Sequence, residues 1–237
     1  MNRHIGPALA ALLLFAAVPA SAAPSAAIQA AVADSSRPAN DTAVDALRKP
    51  AETLDFAGVK AGDKIAELAP GGGYFTRILA KAVGPGGKIY TYAPARPGAP
   101  ARPPVAANVT SLNGAYADFA VPEPVDMVWT SRNYHDFQNA MPDMSAYNKK
   151  VFAALKPGGI YLILDHAAAA DAPDDVHQTL HRSKEAVVRR EVEAAGFHFV
   201  ASSDILRNPA DNKSERVMEQ DVRGKTDQYI LKFQKPN

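Results

Sequence analysis

Residues 67–77 read Glu67-Leu-Ala-Pro-Gly-Gly-Gly-Tyr-Phe-Thr-Arg77. A short apolar run, Lys64-Ile-Ala66, precedes this stretch, and an amphipathic one, Tyr74 to Val83, follows it. Three consecutive glycines between a strand and a helix need a physical cause. Glycine has no Cβ, so it takes positive φ freely and lets another molecule approach the backbone. The first turn of the following helix also offers unpaired N–H groups. In an open α/β sheet, ligands lie outside the carboxyl ends of the strands, where the strand order reverses. The stretch therefore reads as one wall of a ligand cleft. A tight turn without a ligand would use glycine too, so the surrounding sequence must carry the argument.

Working outward, strands and helices alternate. Strands are expected at Lys64–Leu68, Lys88–Tyr92, Val109–Leu112, Val125–Thr130, Ile160–Asp165, Phe197–Ser203 and Gln228–Phe233. Helices are expected at Tyr74–Val83, Ser145–Leu155 and Lys184–Ala195, the last with Ser183 as N-cap and Gly196 beyond its end. Asp41–Ala57 reads as a helix interrupted at Pro50, and the Pro-rich segment Ala93–Pro104 as an irregular loop. Ile160-Tyr-Leu-Ile-Leu164 and Val125-Asp-Met-Val-Trp129 are nearly continuous apolar runs, as strands covered on both faces require. The pattern predicts a parallel sheet in a doubly wound α/β domain.

The chain has 237 residues, 47% of them apolar, with 26 Lys+Arg, 25 Asp+Glu and no cysteine. That length fits one domain. The even charge balance gives no support to a nucleic-acid binder. Without cysteine there is neither disulfide nor thiolate metal site. Residues 1–22 have the pattern of a secretory signal peptide. Arg3 precedes an apolar run from Ala8 to Val18, and Ala20-Ser-Ala22 forms the cleavage site. The expected mature protein is periplasmic or secreted and has no membrane span. Residues 23–40 are expected as a flexible lead-in, and 41–237 as a single domain.

The order of these elements, with Glu67-x-Ala-x-Gly-x-Gly73 after the first strand, Leu155-Lys-Pro-Gly-Gly159 before the fifth and Ala194-Ala-Gly-Phe197 before the sixth, resembles class I S-adenosylmethionine (SAM) dependent methyltransferases. The likeness runs from Arg48 to the C-terminus. Gly58-Val-Lys-Ala-Gly-Asp63, Pro70-Gly-Gly-Gly-Tyr-Phe-Thr76 and Arg223-Gly-Lys-Thr-Asp227 look like an exported branch of predicted methyltransferases. The resemblance implies a Rossmann-like, seven-stranded, mostly parallel sheet. Its last strand is antiparallel and inserted between the fifth and sixth, with residues 206–225 as a hairpin-like return.

It also implies a SAM site. Glu67 matches the acid that organises the glycine loop. Gly71 and Gly73 match the second and third glycines, flanking Gly72, while Ala69 replaces the first. Tyr74, Asp118 and Asn133 are the other cofactor candidates. Two departures stand out. Ala93 occupies the place of the acid that accepts both ribose hydroxyls, and Asn113-Gly-Ala-Tyr116 lacks the aspartate often found near the adenine, for which Asp118 is the nearest substitute.

Thr130-Ser-Arg-Asn-Tyr-His-Asp-Phe137 follows the fourth strand, where the family faces the methyl donor and acceptor. His135 is the candidate base, Tyr134 an acceptor-orienting hydroxyl, and Asp165 the supporting carboxylate. His135, His166, His181 and Asp165 could instead ligate a metal. His177 and His181 share a helical face if that segment is helical. Solvated loop residues would give the same pattern. The leading expectation is methyl transfer to a small-molecule acceptor. The alternative is a methyltransferase-fold binding protein that has lost SAM use and holds another small ligand or a metal.

Overall fold

The computed structural model of the protein describes residues 23–95, 105–141 and 143–237. The expected signal peptide, residues 1–22, and positions 96–104 of the Pro-rich loop lie outside the described residues. In chain order, four helices come first: α1 (Ala26–Val32), α2 (Ala39–Thr42), α3 (Asp45–Arg48) and α4 (Pro50–Ala57). Strand β1 (Lys64–Leu68), helix α5 (Tyr74–Val83), β2 (Lys88–Ala93), β3 (Val109–Asn113) and β4 (Val125–Ser131) follow. Then come α6 (Tyr134–Ala140), α7 (Met144–Ala154), β5 (Leu155–His166), α8 (His177–Leu180), α9 (Glu185–Glu193), β6 (His198–Ser203) and β7 (Gln228–Gln234).

The strands form one seven-stranded sheet in the order β3-β2-β1-β4-β5-β7-β6. β7 runs antiparallel to both its neighbours, and the other pairings are parallel. This is the expected doubly wound arrangement, with the last strand inserted between the fifth and sixth. Alternate strand residues feed two cores. Ile65, Met127, Trp129, Leu162 and Leu164 pack under α1, α4 and α5 with Ile28, Leu54, Phe75 and Leu79. Ala66, Val128, Tyr161 and Ile163 pack on the other face with Phe137, Tyr147, Val151 and Val188. A period of two with both sets apolar is what a doubly covered strand requires.

Several expectations need correction. Residues 23–40 are not a lead-in outside the domain. Ser25 caps α1, and Ile28 and Ala31 are buried against the core of α5. The expected helix over Asp41–Ala57 is three short helices, broken where Lys49 takes φ 40 and hands over to Pro50. Proline at the first helical position suits that restart. Asp143, not Ser145, starts α7, accepting from the Ser145 and Ala146 N–H groups. The expected loop after β4 contains α6. Ser183 does not cap α9; Lys184 holds that position without a side-chain bond, and the Ser183 hydroxyl serves Asp165. β5 begins at Leu155, with a register shift that takes up Lys156-Pro-Gly-Gly159. The return over 206–225 is no hairpin but turns held by buried Arg182, which donates to Asp211 Oδ2 at 2.7 Å and to Glu215 O at 2.9 Å.

Candidate functional site

The strand order reverses between β1 and β4, since β1 continues outward to β2 while β4 starts the other half. The glycine loop leaves β1 at this crevice. Gly71 and Gly73 take φ 57 and 81, conformations that L side chains rarely adopt. Gly73 N–H closes a turn on Pro70 O at 2.9 Å and hands the chain to α5. A Cβ on Gly71 or Gly72 would meet no atom within 4 Å, so no neighbouring side chain closes off either position. A Cβ on Gly73 would lie 3.0 Å from Arg77 Nη1.

The loop is braced from behind. Arg77 donates to Gly72 O at 3.0 Å and to Asp41 Oδ2 at 2.6 Å. Buried Glu67 accepts from Thr76 Oγ1 at 2.5 Å, in the first turn of α5. Burial pushes the Glu67 carboxyl up to about 7, against the Thr76 hydrogen bond and the Arg77 charge. Asn133 Nδ2 donates to Ala69 O at 3.2 Å and to Ser131 O at 2.6 Å, stitching the β4 loop to the glycine loop. Ala69 itself has φ 49, the left-handed region in which an L residue is strained.

Tyr74 is tied to the N-terminal helices. Its hydroxyl donates to Asp45 Oδ1 at 2.6 Å, and Arg48 stacks 4.3 Å above its ring. It anchors the N-terminal helices to α5. Asp118 lies on the short 3-10 turn Tyr116–Asp118, its carboxylate exposed and 3.9 Å from Lys150 Nζ. Ala93 ends β2 opposite Asn113, with no carboxylate at that strand end.

Across the crevice, His135 and Asp165 meet. His135 sits in the first turn of α6, and Asp165 near the end of β5. Asp165 Oδ1 lies 2.8 Å from His135 Nδ1, and Oδ2 accepts the His135 backbone N–H at 2.8 Å. Ser183 Oγ donates to Oδ2 at 2.7 Å, and the His166 N–H donates to Oδ1 at 2.9 Å. Ser183 in turn contacts the Tyr229 hydroxyl at 2.5 Å. A carboxylate accepting this many bonds stays ionised. Burial alone would raise the Asp165 pKa, but His135 and these bonds win and lower it. Burial likewise opposes charge on His135, but the Asp165 carboxylate and Asp136 outweigh it and raise its pKa. His166, 5.8 Å from the His135 ring, is driven by burial to about 3 and stays neutral.

With Nδ1 bonded to Asp165, His135 directs Nε2 to the other side, where Asp136 and His181 sit. Asp136 Oδ1 is 3.4 Å from His135 Nε2 and 3.5 Å from His181 Nδ1. His181 takes φ 51 at the end of α8. His177 does not join this group; its Nδ1 lies 2.9 Å from Asn139 Oδ1. Arg132, half-buried at the end of β4 with φ 61, has its pKa lowered to about 10 by burial and by Arg48.

Tyr134 does not orient an acceptor. It is fully buried under α7 and α9, where its hydroxyl donates to Glu191 Oε2 at 3.0 Å and accepts from Asn148 Nδ2 at 2.9 Å. Successive helical residues project about 100° apart, so Tyr134 enters the core while His135, itself buried, turns toward Asp165 and Asp136. Asp165 stands behind His135 and so is not placed as a direct ligand; Asp136 takes that position. The local string Asn133-Tyr-His-Asp136 carried the signal for a polar site but not which of its side chains turn inward.

No protein-family profile matches the chain, and no curated protein matches it. Solved structures do. A SAM dependent methyltransferase from Aquifex aeolicus aligns at 16% identity and TM-score 0.54, over 82% of this chain and 97% of that one. An arsenic(III) SAM methyltransferase from Chlamydomonas reinhardtii aligns at 18% and 0.55, over 91% of this chain and 75% of that one. The [4+2]-cyclase SpnF aligns at 14% and 0.55, over 84% and 81%. At such identities the likeness is one of fold, and the chain has the fold of class I SAM-dependent methyltransferases.

Proposed function

We propose that the protein transfers a methyl group from SAM to a small-molecule acceptor, as an exported enzyme. The observation that carries this reading is the glycine loop at the switch point, where a Cβ on Gly71 or Gly72 would meet no atom within 4 Å, together with the His135–Asp165 pair at the carboxyl ends of β4 and β5. The residues fit the cofactor at the loop, where a ligand can touch backbone. They depart from the fit at Ala93, where ribose hydroxyls would find no carboxylate. Bound there, SAM would supply a methyl carbon on a sulfonium, the S–CH3 bond breaking to leave a neutral thioether.

The chain's own task is alignment. Gly71, Gly72 and the Asn133-tethered loop hold the donor side. Asp165 fixes the His135 ring through Nδ1, and Nε2 receives the proton that the acceptor's O–H or N–H loses as its lone pair attacks.

Titration calorimetry with SAM tests the reading. Micromolar affinity, lost in Gly72→Val, is the expected result. A second reading, a binding protein that has given up SAM, is favoured by Ala93 and by the expected export, which takes the chain away from the cytoplasm where SAM is made. Absence of SAM binding at millimolar concentration would select it.

A further inference from the structure

We infer that His135, Asp136 and His181 form a binding site for a divalent transition-metal ion at the carboxyl edge of β4 and β5. The three donor atoms lie within 4.8 Å of one another. Asp136 Oδ1 is 3.4 Å from His135 Nε2 and 3.5 Å from His181 Nδ1. Ligand atoms roughly 2.1 Å from a tetrahedral ion stand roughly 3.4 Å from each other. Two of the three donor pairs are thus already spaced for one ion between them.

A second observation points the same way. Asp165 holds His135 Nδ1 at 2.8 Å and fixes it as the N–H, which leaves the lone pair on Nε2, toward Asp136. A carboxylate behind a ligating imidazole sets its tautomer and raises its basicity in metal centres. Ser183 and the His166 N–H hold that carboxylate in place. Two imidazoles and one carboxylate suit zinc or a similar ion and leave a coordination position open. An acceptor oxygen in that position would be acidified, its proton passing to solvent. His135 would then act as a ligand and not as a base. The site stands on its donors and does not need the transfer reading.

The same distances could come from protonated histidines paired with Asp136, and His181 separates the two cases. Arg216 Nη2 donates to His181 Nε2 at 2.8 Å, which places the ring proton on Nδ1, facing Asp136. Metal at Nδ1 moves that proton to Nε2 and displaces Arg216. Arg216 is exposed and able to leave. It is therefore a competitor of the ion, and removing it should tighten binding.

The test is calorimetric titration of the chelator-treated protein with Zn2+, with Co2+ as the visible-spectrum probe. We expect one equivalent to bind and Co2+ to show the intense bands of a low-coordinate site. His181→Ala and Asp136→Asn, both at accessible positions, should each weaken binding by at least about tenfold. Arg216→Ala should strengthen it. Absence of saturable binding overturns the inference, as does binding that is unchanged in both ligand variants. SAM titrations on the same samples keep the two readings apart: metal binding without SAM binding defeats only the transfer proposal, and the reverse defeats only the metal site.

Discussion

His135 and Asp165 are 30 residues apart in sequence and 2.8 Å apart in space, and Asp165 holds both the ring Nδ1 and the backbone N–H of its partner. The pair joins the start of α6 to the end of β5, so it sets both the local fold and the orientation of the one imidazole face left for chemistry. Asp165→Asn replaces an acceptor-only group with one whose amide N–H groups face donors. Breaking a buried charged pair costs about 3–5 kcal/mol. Urea denaturation should show a loss of that order. The Asp165 pKa is lowered on folding, so its contribution is present above the usual aspartate range and lost as pH falls through the lower folded value. The variant should therefore lose less stability than the parent on acidification.

Gly72 separates ligand contact from folding. Its φ is not in the left-handed region, and an added Cβ would meet nothing within 4 Å. Gly72→Val should change stability by no more than about 1 kcal/mol. It should still reduce SAM affinity by at least about tenfold, by placing a side chain where a ligand approaches the backbone. Equal affinities for parent and variant would show that no ligand lies against this loop.

Ala69 is strained. A left-handed L residue costs roughly 1–2 kcal/mol, and glycine gives back part of that gain as backbone entropy. Ala69→Gly should raise unfolding free energy by about 0.5–1 kcal/mol, read from the denaturation midpoint at unchanged slope. A loss of stability would mean that the Ala69 methyl has packing value exceeding its strain.

Glu67 gives a pH dependence of opposite sign to that of Asp165. Its pKa rises on folding from 4.5 to about 7, so the folded state binds more protons than the unfolded one in that interval. Stability is therefore full below pH 4.5 and falls as pH rises towards 7, by up to about 3 kcal/mol. Glu67→Gln should flatten that part of the stability–pH curve. A curve of unchanged slope in the variant would place the titration elsewhere.

Arg182 staples the long return between β6 and β7. It is fully buried and pairs with Asp211, itself nearly buried. Arg182→Leu leaves that carboxylate without its cation, and a loss of about 3–5 kcal/mol is expected in thermal or urea unfolding. Asp211→Asn in the same background should recover part of it, because the stranded charge is gone.

Much of the architecture was legible because it is local. Apolar runs bounded by glycine and proline located all seven strands, and the amphipathic Tyr74–Val83 located α5 to the residue. The unread elements lacked such a signature. In α1, only Ile28 and Ala31 supply the contact, and its burial becomes visible only once α5 lies beneath it. α6 was hidden by the dense polar residues of its first turn.

The sequence by itself determined that a glycine loop follows β1, since three glycines remove side chains from a place where the backbone must bend. It also placed His135, Asp136, Asp165, His166 and His181 at strand and helix ends, without saying which would meet. Tertiary structure decided that. Laying β5 beside β4 brought Asp165 behind His135, a single turn at α8 brought His181 to Asp136, and the roughly 100° step along α6 sent Tyr134 into the core. Side-chain direction depends on which surface an element buries, and that surface is supplied by residues far away in the chain.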